Sequence, residues 1–203
     1  MRITGGIWRG RELRVPRTGV RPAQDQLRQA IFSSQGAVVE GARVLDLFAG
    51  TGAYGLEALS RGADSACWVE RDARILALLK SNARILMGES ELARRAQFIA
   101  GDARIAPVLS RAGEGFDLIF ADPPYEASEE GQWEEQMLRQ LSGPVLRPGG
   151  WLVWEAAARS RVPDLPPGWT RVRDRHRGNT AWRIYGKEPW IAPLGVATGE
   201  GVR

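Results

Sequence analysis

The chain has 203 residues, 43% of them hydrophobic, with one cysteine, one histidine and a formal net charge of +4. This is enough to bury a full sheet-and-helix core without disulfides. One Cys and one His exclude a metal site of the usual Cys/His type, and no apolar run approaches the length of a membrane span or a signal-peptide core. A cytoplasmic protein is expected.

Ile3 to Val15 alternates roughly in polarity and is punctuated by Gly5-Gly6 and Gly10, which predicts a β-hairpin carrying Trp8. Arg2, Arg9, Arg11, Arg14, Arg17, Arg21 and Arg28 crowd this start, opposed only by Glu12 and Asp25. Arginine forks suit phosphates and stack on bases. A helix from about Ala23 to Ser34 places Leu27, Ala30 and Ile31 on one side. From there strands near 43–48, 65–70, 96–100, 116–121 and 150–155 alternate with helices near 53–61, 72–87, 103–111 and 132–142, a pattern that predicts a parallel sheet covered on both faces. Trp169–Arg175 and Thr180–Tyr185 read as a closing hairpin that turns at Gly178, with a second basic cluster at Arg171, Arg173, Arg175, His176 and Arg177. Cys67 reads as a small buried hydrophobe in its strand. Residues 189–203 lack periodicity and are expected to form a loose tail.

Two motifs carry the chemistry. Val44–Leu47 runs into the turn Phe48-Ala49-Gly50-Thr51-Gly52, and Phe116–Ala121 runs into Asp122-Pro123-Pro124-Tyr125. The prolines stop the strand and fix the bend, which sets a carboxylate, free carbonyls and an aromatic face at the sheet edge where open α/β sheets bind ligands. That grouping suits a flat ring with an amino group, gripped as an extruded nucleobase is. Gly50, Gly52 and Gly55 also satisfy the dinucleotide pattern G-x-G-x-x-G, with Glu70 ending the next strand. Asp46, just before the turn, would repel a pyrophosphate but suits a ligand with an ammonium and a sulfonium, and S-adenosylmethionine has both. Glu70 is placed to accept from ribose hydroxyls and Asp102 from an adenine amine. Each acid alone also reads as an ordinary strand-end or capping residue; their succession on consecutive strands favours the ligand reading.

The ordered set Asp46–Gly52, Glu70, Asp102 and Asp122–Tyr125 resembles a class I S-adenosylmethionine-dependent methyltransferase. The start Arg2-Ile3-Thr4-Gly5-Gly6-Ile7-Trp8-Arg9-Gly10-Arg11, then Arg21-Pro22, Asp25, Arg28 and Phe32, resembles the RsmD family, which methylates the exocyclic amine of a guanine in small-subunit (16S) ribosomal RNA. The likeness runs to about Glu188 and includes Gly178–Tyr185. It implies a Rossmann-like, doubly wound, mostly parallel seven-stranded sheet with an antiparallel last strand, preceded by the hairpin and helix. The expected units are an extension at 1–35, a methyltransferase domain at 36–188 and the tail.

The same likeness implies cofactor contacts at Asp46, Phe48, Ala49, Gly50, Thr51, Gly52, Glu70, Arg71, Asp102 and Ala103. It implies catalysis by Asp122, Pro123, Pro124 and Tyr125, and RNA contacts at Arg2, Arg9, Arg11, Arg21 and Arg28, with no metal. The expected partner is 16S RNA in an assembling or assembled small subunit, bound by a monomer. Ala23, Gln24 and Gln26 depart from the family's usual Arg-Pro-Thr-x-Asp-Arg, and Ser33 and Ser34 stand where Asn and an aromatic are common. These departures lie outside the cofactor motifs, in the segment expected to touch RNA.

The expected mechanism is direct transfer. Asp122 and the Pro123 carbonyl hold the amine while Tyr125 stacks on the base. The segment 126–132 is either a lid or an ordinary exposed loop, and Trp133 either covers the pocket or anchors its helix. The alternatives are an adenine-N6 methyltransferase acting on DNA or RNA, a nicotinamide-dependent oxidoreductase, and a non-catalytic RNA-binding protein.

Overall fold

A computed structural model describes residues 1–16, 23–113, 115–124 and 132–189. Tyr125, Arg21, the expected lid at 126–131 and the tail beyond Pro189 lie outside the described residues. Helix α1 (Ala23–Gln35) and a short 3-10 turn (Gly36–Val39) lead into β1 (Arg43–Leu47). Then follow α2 (Ala53–Ser60), β2 (Ser65–Glu70), α3 (Ala73–Arg95), β3 (Ala96–Ala100), α4 (Ala106–Ala112) and β4 (Phe116–Ala121). The last elements are Gln132–Gln140, here α5, and strands β5 (Leu146–Ala157), β6 (Trp169–Arg177) and β7 (Thr180–Lys187).

The seven strands form one sheet in the order β3-β2-β1-β4-β5-β7-β6. β1 pairs parallel with β2 and β4, and β4 pairs parallel with β5, while β7 is antiparallel to both β5 and β6. The order in which strands are added reverses between β1 and β4, so the strand ends there form the crevice typical of doubly wound sheets. Alternate residues of each strand feed two cores. Val44, Trp68, Phe120 and Val153 pack under α1, α2 and α3. Leu45, Val69, Ile119 and Trp154 pack under α4 and α5. Among the described residues, no helix is long and apolar enough to cross a membrane.

Three expectations change. The N-terminal hairpin is shorter than expected: the antiparallel Arg2–Glu12 bridge is supported by backbone bonds from Ile3 to Arg11, Gly10 to Ile3 and Leu13 to Met1. Its turn also donates outward: the Ile7 and Trp8 amides reach the Ser60 carbonyl and hydroxyl at 2.8 and 2.9 Å. Gly6 permits this docking, because a Cβ there would lie 1.8 Å from the Ser60 carbonyl oxygen. The third helix does not stop at residue 87. It kinks at Gly88 and resumes to Arg95, whose side chain bonds the Asp64 carbonyl at 2.6 Å. β5 is also longer than expected at both ends.

Candidate active site

A hollow of about 440 Å³ opens at the C-terminal ends of β1, β2, β3 and β4. Phe48, Gly50, Glu70, Arg71, Asp102, Ala103, Asp122, Pro123 and Pro124 line it, so most of the residues expected there are brought together. Trp133 lines it too, its ring 6.0 Å from that of Phe48 at an interplanar angle of 18°. The Arg104 guanidinium lies 4.2 Å from the Trp133 ring centre. Trp133 therefore belongs to the wall, stacked between an aromatic and a cation. Phe48 holds a left-handed backbone (φ 57°), which turns the chain sharply out of β1 into the glycine loop.

Asp46, Ala49, Thr51 and Gly52 are not among the lining residues; they build the loop from behind. Asp46 is 2% exposed, and its Oδ2 accepts from the Gly55 amide at 2.9 Å. The Ala49 carbonyl accepts from Gly52, and Asn82 donates to the Thr51 carbonyl. Gly52 has φ 82°, and a Cβ on it would sit 2.8 Å from Leu79. Glu70 accepts from the Gly50 amide at 2.9 Å and from the Asp72 amide at 2.8 Å. The amides of Gly50, Gly52 and Gly55 are thus all engaged within the protein, two of them by carboxylates. A loop wired this way does not offer its N–H groups to a pyrophosphate, which weighs against the dinucleotide reading.

The acids of the site differ in surroundings. Asp102 is held below the usual carboxylate range, chiefly by hydrogen bonds from the Arg104 side chain. Burial pushes Asp46 up to about 8. Burial also raises Asp122 well above its ordinary value, and the nearby charges of Glu155 and Asp46 raise it further. Glu155 is raised for the same first reason, burial. Sequence reasoning passed over Glu155 and Tyr54, whose hydroxyl donates to Glu155 Oε2 at 2.7 Å. The available signal was an acid closing the apolar run Trp151–Trp154 in a strand buried on both faces.

The arginines divide. Arg2, Arg9 and Arg11 are exposed, and Arg2 and Arg9 border a shallow hollow with Asp25, Gln26 and Gln29. Arg28 is different. It is 2% exposed and bonds Asp25 at 2.9 Å, Glu57 at 3.4 Å and the Arg2 carbonyl. Its expected RNA contact is therefore corrected: the guanidinium is consumed in the interior, where it offsets the buried Glu57. Arg177 reaches Gln26 at 2.7 Å, so the second basic cluster adjoins α1. Among the described residues, no group of three or more His, Cys, Asp or Glu side chains is arranged to hold a metal ion.

The family description "Conserved hypothetical protein 95" matches residues 1–186. Ribosomal RNA small subunit methyltransferase D of Escherichia coli (strain K12) is 34% identical over 200 residues, covering 93% of this chain and 90% of that protein. The chain belongs to the RsmD family. The Haemophilus influenzae protein of the same name is 30% identical and covers 91% of this chain and 93% of its own. The solved structure of Escherichia coli yhhF has a TM-score of 0.77 at 30% identity, covering 93% of this chain and 98% of that one. RsmD proteins are class I methyltransferases that use S-adenosylmethionine. The hollow fits that donor on its own terms: Glu70 and Asp102 line it as acceptors for hydroxyl and amine donors, and the carboxylates of Glu70 and Asp46 engage the amides of Gly50 and Gly55.

Proposed function

We propose that this protein transfers a methyl group from S-adenosylmethionine to N2 of a guanine in small-subunit (16S) ribosomal RNA. The observation that carries the reading is one shared cavity: Asp122, Pro123 and Pro124 line the same hollow as Glu70 and Asp102, so an amine held by the first group abuts a donor held by the second. The names of the relatives at 34% and 30% identity supply the substrate class. The exposed Arg2, Arg9 and Arg11 supply a phosphate-binding face. The substrate is the RNA within the small subunit, met by a single copy of the enzyme in the cytoplasm.

S-adenosylmethionine supplies a methyl group already activated on a sulfonium. The task left to the chain is alignment. Glu70 and Asp102 hold ribose and adenine donors, while Asp46 favours the cationic methionine end through the loop it anchors. Asp122 and the Pro123 carbonyl accept from the two amine hydrogens and direct the nitrogen lone pair along the line of transfer, with Tyr125 as the stacking face. As the N–C bond forms, the methyl–sulfur bond would break and S-adenosylhomocysteine would leave, and the nitrogen, gaining positive charge, gives up a proton. Asp122, raised by burial, is a competent acceptor for it.

The test is incubation with labelled S-adenosylmethionine and small subunits from a strain lacking this protein, followed by nucleoside digestion and mass spectrometry. N2-methylguanosine in 16S RNA is the expected product. Methyladenosine would move the enzyme to the adenine class, and no label on subunits, naked RNA or DNA would overturn the reading.

A further inference from the structure

Continuing the β4–β5 register one residue past the Ala121–Trp154 pair sets Asp122 beside Glu155. Both leave the sheet on the face of Phe120 and Val153, toward α1 and α2. Glu155 is only 6% exposed and does not itself line the hollow; it stands behind Asp122 at the same edge of the sheet. Its orientation is imposed from outside. The Tyr54 ring stacks on Phe120 at 5.0 Å and 20°, and its hydroxyl donates to Glu155 Oε2 at 2.7 Å. Arg28, on α1, favours the ionised form of the glutamate. Glu155 in turn disfavours the ionisation of Asp122.

Two adjacent carboxyl groups, Glu155 buried and Asp122 half-buried at the hollow, are unfavourable unless donors are brought to them. A guanine edge brings two, on neighbouring atoms: the N1–H and the N2 amine. Adenine brings only one, because its N1 beside the amine is a bare acceptor. An extruded base is read along this Watson–Crick edge.

We propose that Glu155, oriented by Tyr54, is the specificity-determining carboxylate of the base pocket and accepts the guanine N1–H while Asp122 holds the adjacent amine. The inference rests on the guanine reading above and adds the means of selection. A site that hydrogen-bonds a donor rejects the analogue lacking it, because its own buried group is then left unpaired.

2-Aminopurine riboside keeps the amine at C2 but carries neither the N1–H nor the 6-oxo group, so the change of preference between wild type and variants, rather than the wild-type preference alone, isolates the contact. RNA with guanosine or 2-aminopurine at the methylated position, reconstituted into small subunits, is offered to the wild type, Glu155→Gln and Tyr54→Phe. The wild type should prefer guanosine in kcat/KM by roughly 10- to 100-fold, the size of one charge-assisted hydrogen bond. Glu155→Gln should bring the ratio close to one, chiefly by losing activity on guanosine, and Tyr54→Phe should fall between. A ratio in Glu155→Gln as wide as in the wild type overturns the assignment while leaving guanine methylation intact. If Glu155→Gln fails to fold, the Tyr54→Phe ratio decides, and no narrowing there overturns it. If the wild type methylates neither base, the guanine reading falls and this inference with it.

Discussion

Two sets of carboxylates stand at one edge of the same sheet, and their surroundings drive them in opposite directions. Asp102, on the open side of the hollow, is held low by Arg104. Asp46, Asp122 and Glu155, on the covered side under α1 and α2, are pushed high by burial. Asp102, held low, suits a neutral donor such as an adenine amine. The covered acids suit partners that bring a proton or a positive charge. Residue type alone does not separate these roles; the helix packed above each acid does.

The contrast can be broken most severely at Asp122. Asp122→Ala should lower methyl transfer by roughly 10³-fold, while calorimetry finds the affinity for S-adenosylmethionine changed by less than about threefold, as expected for groups acting after the donor is bound. Loss of both together would mean that Asp122 belongs with the donor-holding acids. Arg28→Met removes the cation that faces the covered set and leaves Glu57 with one fewer partner. It should destabilise the fold by about 3 kcal/mol in urea unfolding, as expected for one member of a buried ion pair. A variant of unchanged stability that lost RNA affinity would return Arg28 to the RNA surface.

Smaller effects sharpen the contrast. Glu70→Ala frees the Gly50 and Asp72 amides and removes the proposed ribose acceptor, and it should weaken donor binding roughly tenfold with little change in kcat once the donor is saturating. Arg9→Ala and Arg11→Ala should each reduce the salt dependence of RNA binding by about one unit of slope, without altering donor binding.

A pH slope tests the covered set by stability rather than activity. Asp46 titrates near 3.8 when exposed and about 8 in the fold. Below the lower value both states are protonated and the stabilisation is fully present. As pH rises toward about 8, the unfolded chain releases a proton that the folded chain keeps, so stability falls across that window. Glu134, raised by burial to about 7, acts in the same direction. Melting temperatures should decline from mildly acidic to mildly alkaline pH, and Asp46→Asn should flatten the decline. A profile unchanged by that substitution would mean that Asp46 is ionised throughout.

Much of this was legible in the chain because the signals were periodic or rigid. Alternation of short apolar runs with helical stretches marked the parallel strands, and the Pro123-Pro124 bend and the glycine turn marked their functional ends. Asp46, Glu70 and Asp102 could be ordered before their contacts were known. Arg28 could not be placed, because an arginine among arginines reads as surface until Glu57, from a different helix, is seen beneath it. A closer look at spacing gives a hint: Arg28 lies between Leu27 and Ile31 and four residues before Phe32, all buried. Glu155 was hidden for a related reason, since its meaning depends on a neighbour, Asp122, that only the β4–β5 register brings alongside. The hairpin is short because two amides of its turn, Ile7 and Trp8, donate to Ser60 at the end of α2 rather than across the turn.

The strand order has a consequence for synthesis. β7, the last strand made, is not at the rim but is inserted between β5 and β6, and its Trp182 pairs with Glu155. Until residues 180–187 leave the ribosome, β5 has one open edge, and Glu134 lacks both Arg183 at 2.6 Å and Tyr185 at 2.6 Å. The wall carrying Glu155 is therefore complete only when β7 has been inserted between two strands that precede it in the chain.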